Sequence, residues 1–215
     1  MQMLHPHRGS IQQYMEQLDD TDVWRPAACP QCQEQERLTA HGFYSRTIVD
    51  TDFDGVIRVR RYLCLACKRT VSLLPEWALP YVRFSISVIA QVLKARLMEK
   101  RMWKAAAATE CTMPYQRGQH WVRRFERQAE PLSAALAALT AVVTASDFVP
   151  RVLAMLEKTG WIAAHRFLFS DLRMHLLGWP VSQIPDGRSV ELVSAFGSGR
   201  SRTHITCMEA GGPSG

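Results

Sequence analysis

Two cysteine pairs, a strand–turn–strand pattern between them and apolar stripes at helical spacing beyond them predict a mainly α chain with a small β ribbon near its N-terminus. The pairs are "CPQC" at Cys29 and Cys32 and "CLAC" at Cys64 and Cys67, with 31 residues between them. Each C-x-x-C forms a tight knuckle whose two thiolates point at one ion, and two knuckles supply the four ligands that tetrahedral zinc prefers. A redox C-x-x-C would stand alone at a helix start. A disulfide frame needs an oxidising compartment, and six cysteines in 215 residues without an export signal do not suggest one. The expectation is therefore a zinc ribbon with one structural Zn²⁺ on Cys29, Cys32, Cys64 and Cys67. Four sulfurs close the coordination sphere, which argues against catalysis at the metal. His41 reads as a strand residue or surface contact, and Cys111 and Cys207 as plain thiols.

The hairpin is read from residue type. "TAHGFYSRTIV" and "VIRVRRYL" are rich in β-branched and aromatic residues, and the second sets Val56, Arg58 and Arg60 against Ile57, Val59 and Arg61 on the opposite face. Asp54 and Gly55 form the expected turn pair, since both tolerate positive φ.

Beyond the ribbon, Pro75 and Pro80 mark a connector, and Ser85 can cap a helix in which Ile86, Ile89, Ala90, Leu93 and Leu97 share a face. "WKAAAATECTMPYQRGQHWVRRFERQ" then has helix-turn-helix grammar: an Ala-rich helix from Trp103 to about Glu110, a turn over Cys111 to Met113, and a longer helix capped by Thr112 and opened by Pro114. On that longer helix Gly118, Trp121, Val122 and Phe125 fall on one side. Gln116, His120, Arg123 and Arg127 form a stripe on the other, with Arg117 and Arg124 beside it. Gln suits adenine edges, and Arg suits guanine edges or phosphates, in a major groove.

Charge supports that reading. Residues 1–55 hold 4 Lys/Arg against 9 Asp/Glu, residues 56–128 hold 15 against 4, and residues 129–215 hold 7 of each. The middle third has the surplus expected of a polyanion-binding surface, although a membrane surface or an acidic protein could use it too. The ribbon arginines Arg58, Arg60, Arg61 and Arg69 are the expected phosphate contacts.

Further on, Pro131 is expected to open a helix striped by Leu132, Leu136, Leu139 and Val143, Asp147 to cap the next, and Gly160 to end it. Asp171 falls inside a helical reading of "WIAAHRFLFSDLRMHLLGW". With Glu191 these acids lack the strand frame of a two-metal nuclease core, so the chain is not expected to be an enzyme. The organisation read from the sequence is an N-terminal helical or irregular segment (1–24), the zinc ribbon (25–74), a Pro-containing connector (75–84), the helix-turn-helix domain (85–128), C-terminal helices (129–178) and a flexible tail (179–215).

"CPQC…HGFYSR…DGVIRVRRYLCLACKRTVSLLP" followed by "AAAATECTMPYQRGQHWVRRF" resembles the zinc-ribbon plus helix-turn-helix front end of bacterial insertion-sequence transposases. It looks closer still to stand-alone bacterial proteins with the same pairing that are associated with mobile elements. The resemblance covers about residues 25 to 128. It implies a ribbon followed by a helical DNA-binding domain, the four cysteines as ligands, and no catalytic residues.

The expectation is thus a sequence-specific, double-stranded DNA-binding protein of a bacterial mobile element, acting as a transposition accessory or transcriptional regulator. It would work in the cytoplasm on the nucleoid, as a homodimer or beside a transposase, without a membrane. Two other classes stay open: a compact or truncated transposase, and a zinc-ribbon adaptor for protein partners.

Overall fold

A four-stranded mixed sheet organises the chain, and the expectation of a mainly α fold with a two-stranded ribbon is corrected accordingly. The computed structural model describes residues 1–7, 9–18, 24–102, 114–141 and 144–181. Strands β1 (Gln2–His5), β2 (Leu38–Val49), β3 (Asp54–Cys64) and β4 (Thr70–Pro75) lie in the order β1-β4-β3-β2. The β2–β3 and β3–β4 pairs are antiparallel, and β1 joins β4 in parallel.

Two strands escape a reading by pattern. In β4, "TVSLLP" runs straight out of the second knuckle and buries Val71, Leu73 and Leu74, so it lacks the clean alternation of a half-exposed strand. The four residues of β1 are too few to show a period, and a long-range pairing fixes them: Gln2 lies opposite Ser72 and Leu4 opposite Leu74, while the Met1 amine donates to the Thr70 carbonyl at 2.9 Å. A lone hairpin is marginal in water, and the added strands give it a buried face.

The β2–β3 hairpin forms, but its turn lies earlier than expected. Asp54 and Gly55 are already paired with Val49 and Ile48, and the reversal is made by residues 50–53, with the Asp50 amide donating to the Phe53 carbonyl at 2.7 Å. Gly55 is not in a left-handed turn; a Cβ there would stand 2.9 Å from Cζ of Phe53, so the Phe53 ring packs over the glycine. A bulge between Ala40 and Phe43 offsets the register, with Gly42 at φ 73°.

Helices cover the sheet. Helix α1 (Ile11–Gln17) has a complete capping box of Ser10 and Gln13 and buries Ile11 and Tyr14, whose hydroxyl donates to the Arg58 carbonyl at 3.0 Å. Ser85 caps α2 (Ile86–Leu93) through the Val88 amide, and its hydroxyl donates to Asp50, tying the helix start to the hairpin turn. The helix continues as a π-helical turn over Lys94–Met98. Helix α3 (Tyr115–Leu136) runs through Pro131 without interruption, so no separate helix opens there. Its buried stripe of Trp121, Val122, Phe125, Ala129, Leu132 and Leu136 keeps helical spacing across the proline, and that packing overrides the lost backbone bond. Trp121 meets Phe84 edge to face at 5.0 Å, joining α3 to the connector.

Gly160, at φ 87°, separates α4 (Phe148–Thr159) from α5 (Trp161–Ser170). Asp147 holds the N-cap position of α4 without a side-chain capping bond. Asp171 is the C-cap of α5, so the helix is shorter than its sequence suggests. The chain leaves it through wide turns, with the Met174 amide on the Leu168 carbonyl and Arg173 at φ 53°.

The first helix of the helix-turn-helix reading (103–110), its turn (111–113) with the Thr112 cap, the cysteines Cys111 and Cys207, Glu191 and the tail after Ser194 lie outside the described residues. No helix among the described residues is long and apolar enough to cross a membrane.

Candidate metal centre

The two knuckles are copies of one backbone design. The Cys29 amide donates to the Glu34 carbonyl and the Gln33 amide to the Cys29 carbonyl. Equivalently, the Cys64 amide donates to the Arg69 carbonyl and the Lys68 amide to the Cys64 carbonyl, all at 2.8–2.9 Å. The residue after each second cysteine is left-handed, Gln33 at φ 63° and Lys68 at φ 59°. A further bond from the Leu65 amide to the Arg37 carbonyl, 2.8 Å, ties the second knuckle to the start of β2, just after the first. The second knuckle is the β3–β4 turn itself, so the sheet positions Cys64 and Cys67 directly.

The four thiols converge. Their Sγ atoms all lie within 4.8 Å of one another, with 3.8 Å between Cys29 and Cys67 and 3.6 Å between Cys32 and Cys64. A disulfide would need about 2.05 Å. A tetrahedron of sulfurs about 2.3 Å from a zinc ion has edges of about 3.8 Å, so the donor set fits one such ion. Cys29 and Cys64 are buried and Cys32 and Cys67 half-buried. Peptide amides face the sulfurs: the Gln31 N–H points at Cys29 Sγ, 3.4 Å away, and the Cys67 amide, first among several, draws the Cys64 thiol down to about 7. Burial pushes the Cys29 and Cys67 thiols up, a penalty that a bound cation would reverse. His41 is exposed on β2 and is not among the four converging residues.

The expected nucleic-acid contacts occupy three surroundings. On α3, Gln116, His120, Arg123 and Arg127 are exposed opposite the buried Trp121 and Phe125, while Arg117, also exposed, lies on the Trp121 side, 5.9 Å from the Phe84 ring. Arg124 is committed to the protein: it donates to the carbonyls of Leu177 at 2.6 Å and Gly178 at 2.5 Å, and lies 4.3 Å from the Trp179 ring centre. A cleft of about 360 Å³ between Tyr81, Trp179 and the first turns of α3 is lined by Gln116, Arg117 and His120. Arg61 and the exposed Arg69 lie near the Met1 amine, whose pKa is lowered by burial first and then by these two charges. Arg58 is exposed, whereas Arg60, expected at the surface, is buried at 5% exposure because Phe43 and Tyr62 cover it. Phe43 and the left-handed Gln33 and Lys68 went unnoticed in the sequence. The shared spacing of a polar residue directly after each C-x-x-C was the available signal.

The fold and the cluster together define an α+β protein with a four-cysteine candidate metal site at one end of a mixed sheet. Residues 29–115 match a family described as Domain of unknown function (DUF6431). That stretch is less than half of the chain; it begins at the first metal-site cysteine and stops at the first residue of α3. No curated protein and no solved structure matches the chain. The match shows neither a transposase nor a DNA-binding family, so the resemblance in the sequence is supported only as far as the four-cysteine cluster.

Proposed function

We propose that the chain is a DNA-binding protein in which one structural Zn²⁺, held by Cys29, Cys32, Cys64 and Cys67, stiffens the sheet beside a basic helix that meets the duplex. Zinc bound by four thiolates supplies cross-linking and no open coordination position. The role is therefore binding, not catalysis, as expected of an accessory or regulatory protein of a mobile element.

The observation that carries this reading is the two-sided character of α3. Trp121, Val122 and Phe125 anchor one side in the core, while Gln116, His120, Arg123 and Arg127 stand exposed on the other. The surrounding residues 56–128 hold 15 Lys/Arg against 4 Asp/Glu. Such a surface gains affinity by releasing counterions from phosphates and gains specificity from polar side chains at base edges.

Electrophoretic mobility shift compares the zinc-loaded wild type with a Gln116→Ala/His120→Ala/Arg123→Ala variant. The expected result is salt-sensitive binding by the wild type and a loss of at least tenfold in the variant. Equal binding by both removes α3 as the DNA-contacting helix. Absence of wild-type binding at low salt removes the function.

A further inference from the structure

Arg60 carries a charge without a counterpart among the described residues. It is 5% exposed, it makes no hydrogen bond or ion pair with any described residue, and its Nε is buried without an acceptor. Instead it touches rings: its guanidinium carbon lies 4.6 Å from the centre of Phe43 and 5.4 Å from that of Tyr62. Arg58, exposed and also without an ion pair among the described residues, lies 4.1 Å from the same Phe43 ring.

Strand register brings the group together. Phe43 stands opposite Arg60 and Ser45 opposite Arg58, and alternate residues of β3 share a face, so two guanidiniums converge on one ring. Carboxylates at the β2–β3 turn and just after β4 are engaged elsewhere. Asp54 pairs with Arg83 at 2.7 Å, Glu76 with Arg166 at 3.2 Å, and Asp50 accepts from Ser85. Burying a cation without a counter-ion is costly, and ring contacts offset only part of that cost.

We propose that Arg58, Phe43 and Arg60 form a binding site for a phosphate-class anion on the sheet, separate from the α3 surface. The ring holds the two guanidiniums close together, neither guanidinium has a hydrogen-bond acceptor among the described residues, and a planar fork of donors matches phosphate oxygens. Exposed Arg58 would make the outer contact and Arg60, 5% exposed, the inner one. Assigning the phosphate to a nucleic-acid strand rests on the function proposed above. The anion site itself does not, since a free phosphate has the same chemistry.

The test follows the arginine Nε–H resonances of the zinc-loaded full chain during two titrations, one with inorganic pyrophosphate and one with a short DNA duplex. Both probes are expected to move the Arg58 and Arg60 signals. Arg58→Gln, an exposed position where the fold is retained, is expected to weaken pyrophosphate binding about tenfold. It should also lower the slope of log K against log salt for the duplex by about 0.9, the loss of one phosphate contact. Arg60→Lys, which keeps the charge but loses the fork, should weaken pyrophosphate in the same direction. Signals moved by pyrophosphate alone establish the anion site with free phosphate as its source, and contradict the nucleic-acid assignment. Duplex binding that leaves both signals and the Arg58→Gln slope unchanged overturns this site while the α3 reading stands. No response to either probe overturns the site outright.

Discussion

Gln33 and Lys68 occupy the same place in two knuckles 35 residues apart, each directly after a second cysteine and each left-handed, at φ 63° and 59°. The left-handed residue turns the chain back, so that the carbonyl of the next residue, Glu34 or Arg69, can accept from the amide of the first cysteine. A β-branched side chain is strained in that region, whereas glycine enters it freely. Lys68→Val is expected to destabilise the metal-loaded protein by about 1–2 kcal/mol, and Lys68→Gly to be neutral or nearly so. Urea denaturation of the three proteins checks this. Equal losses for Val and Gly would show that the lysine side chain, not the backbone, matters.

Arg123 and Arg124 are neighbours with opposite assignments. Arg124 binds the carbonyls of Leu177 and Gly178, while Arg123 is exposed. Arg123→Ala should lower the salt dependence of duplex binding by about one counter-ion and leave stability unchanged. Arg124→Ala should cost about 1–3 kcal/mol of stability through two unpaired carbonyls, with little change in salt slope. Fluorescence anisotropy at several salt concentrations, together with denaturation curves, separates the two.

Arg46 does for the connector what Arg124 does for the 177–179 segment. Its guanidinium donates to the carbonyls of Leu79 and Val82, both residues being buried. Arg46→Met keeps the aliphatic stem and removes the donors, at an expected cost of about 3 kcal/mol. A measured loss below about 0.5 kcal/mol would mean that water replaces the guanidinium.

The pH dependence follows from two buried histidines. His175 donates from Nε2 to the Pro80 carbonyl and accepts the Leu177 amide on Nδ1, both at 3.0 Å, which fixes it as neutral. Burial lowers its pKa to about 4. Burial first, and His175 second, lower that of His165 to about 3. Both values lie below the unfolded value of about 6.5, so the unfolded chain binds more protons in acid. This contribution is fully present above about pH 6.5 and is lost as pH falls toward 4–3, with a slope of at most about 2.7 kcal/mol per pH unit for two protons. His165→Leu should roughly halve that slope between pH 6 and 4.5. Unchanged stability of the wild type across that range would contradict the neutral assignment.

Local chemistry made parts of the molecule legible in the sequence. The C-x-x-C pairs, the β-branched runs of β2 and β3, the Ser85 cap and the apolar stripe of α3 each carry their signal within a few residues. What could not be read depends on distant partners. Strand β1 exists because the edge of β4 accepts it. Pro131 stays inside α3 because Ala129, Leu132 and Leu136 all find the same core. Arg60 alternates as a surface residue should, yet the bulge at Ala40–Phe43 brings an aromatic ring over it. Asp-Gly suits a tight reversal, whereas here the chain reverses at residues 50–53, closed by the Asp50 amide on the Phe53 carbonyl, and the Phe53 ring packs over Gly55.

The most direct test of the account is metal analysis of the purified chain, coupled to its folding. One zinc per chain is expected. Removing it with a chelator should abolish the cooperative unfolding transition of the sheet, and single Cys→Ser changes at Cys29, Cys32, Cys64 or Cys67 should each act the same way. A chain without stoichiometric metal, or one whose unfolding transition is the same before and after chelation, would contradict the claim that a single ion joins the two knuckles.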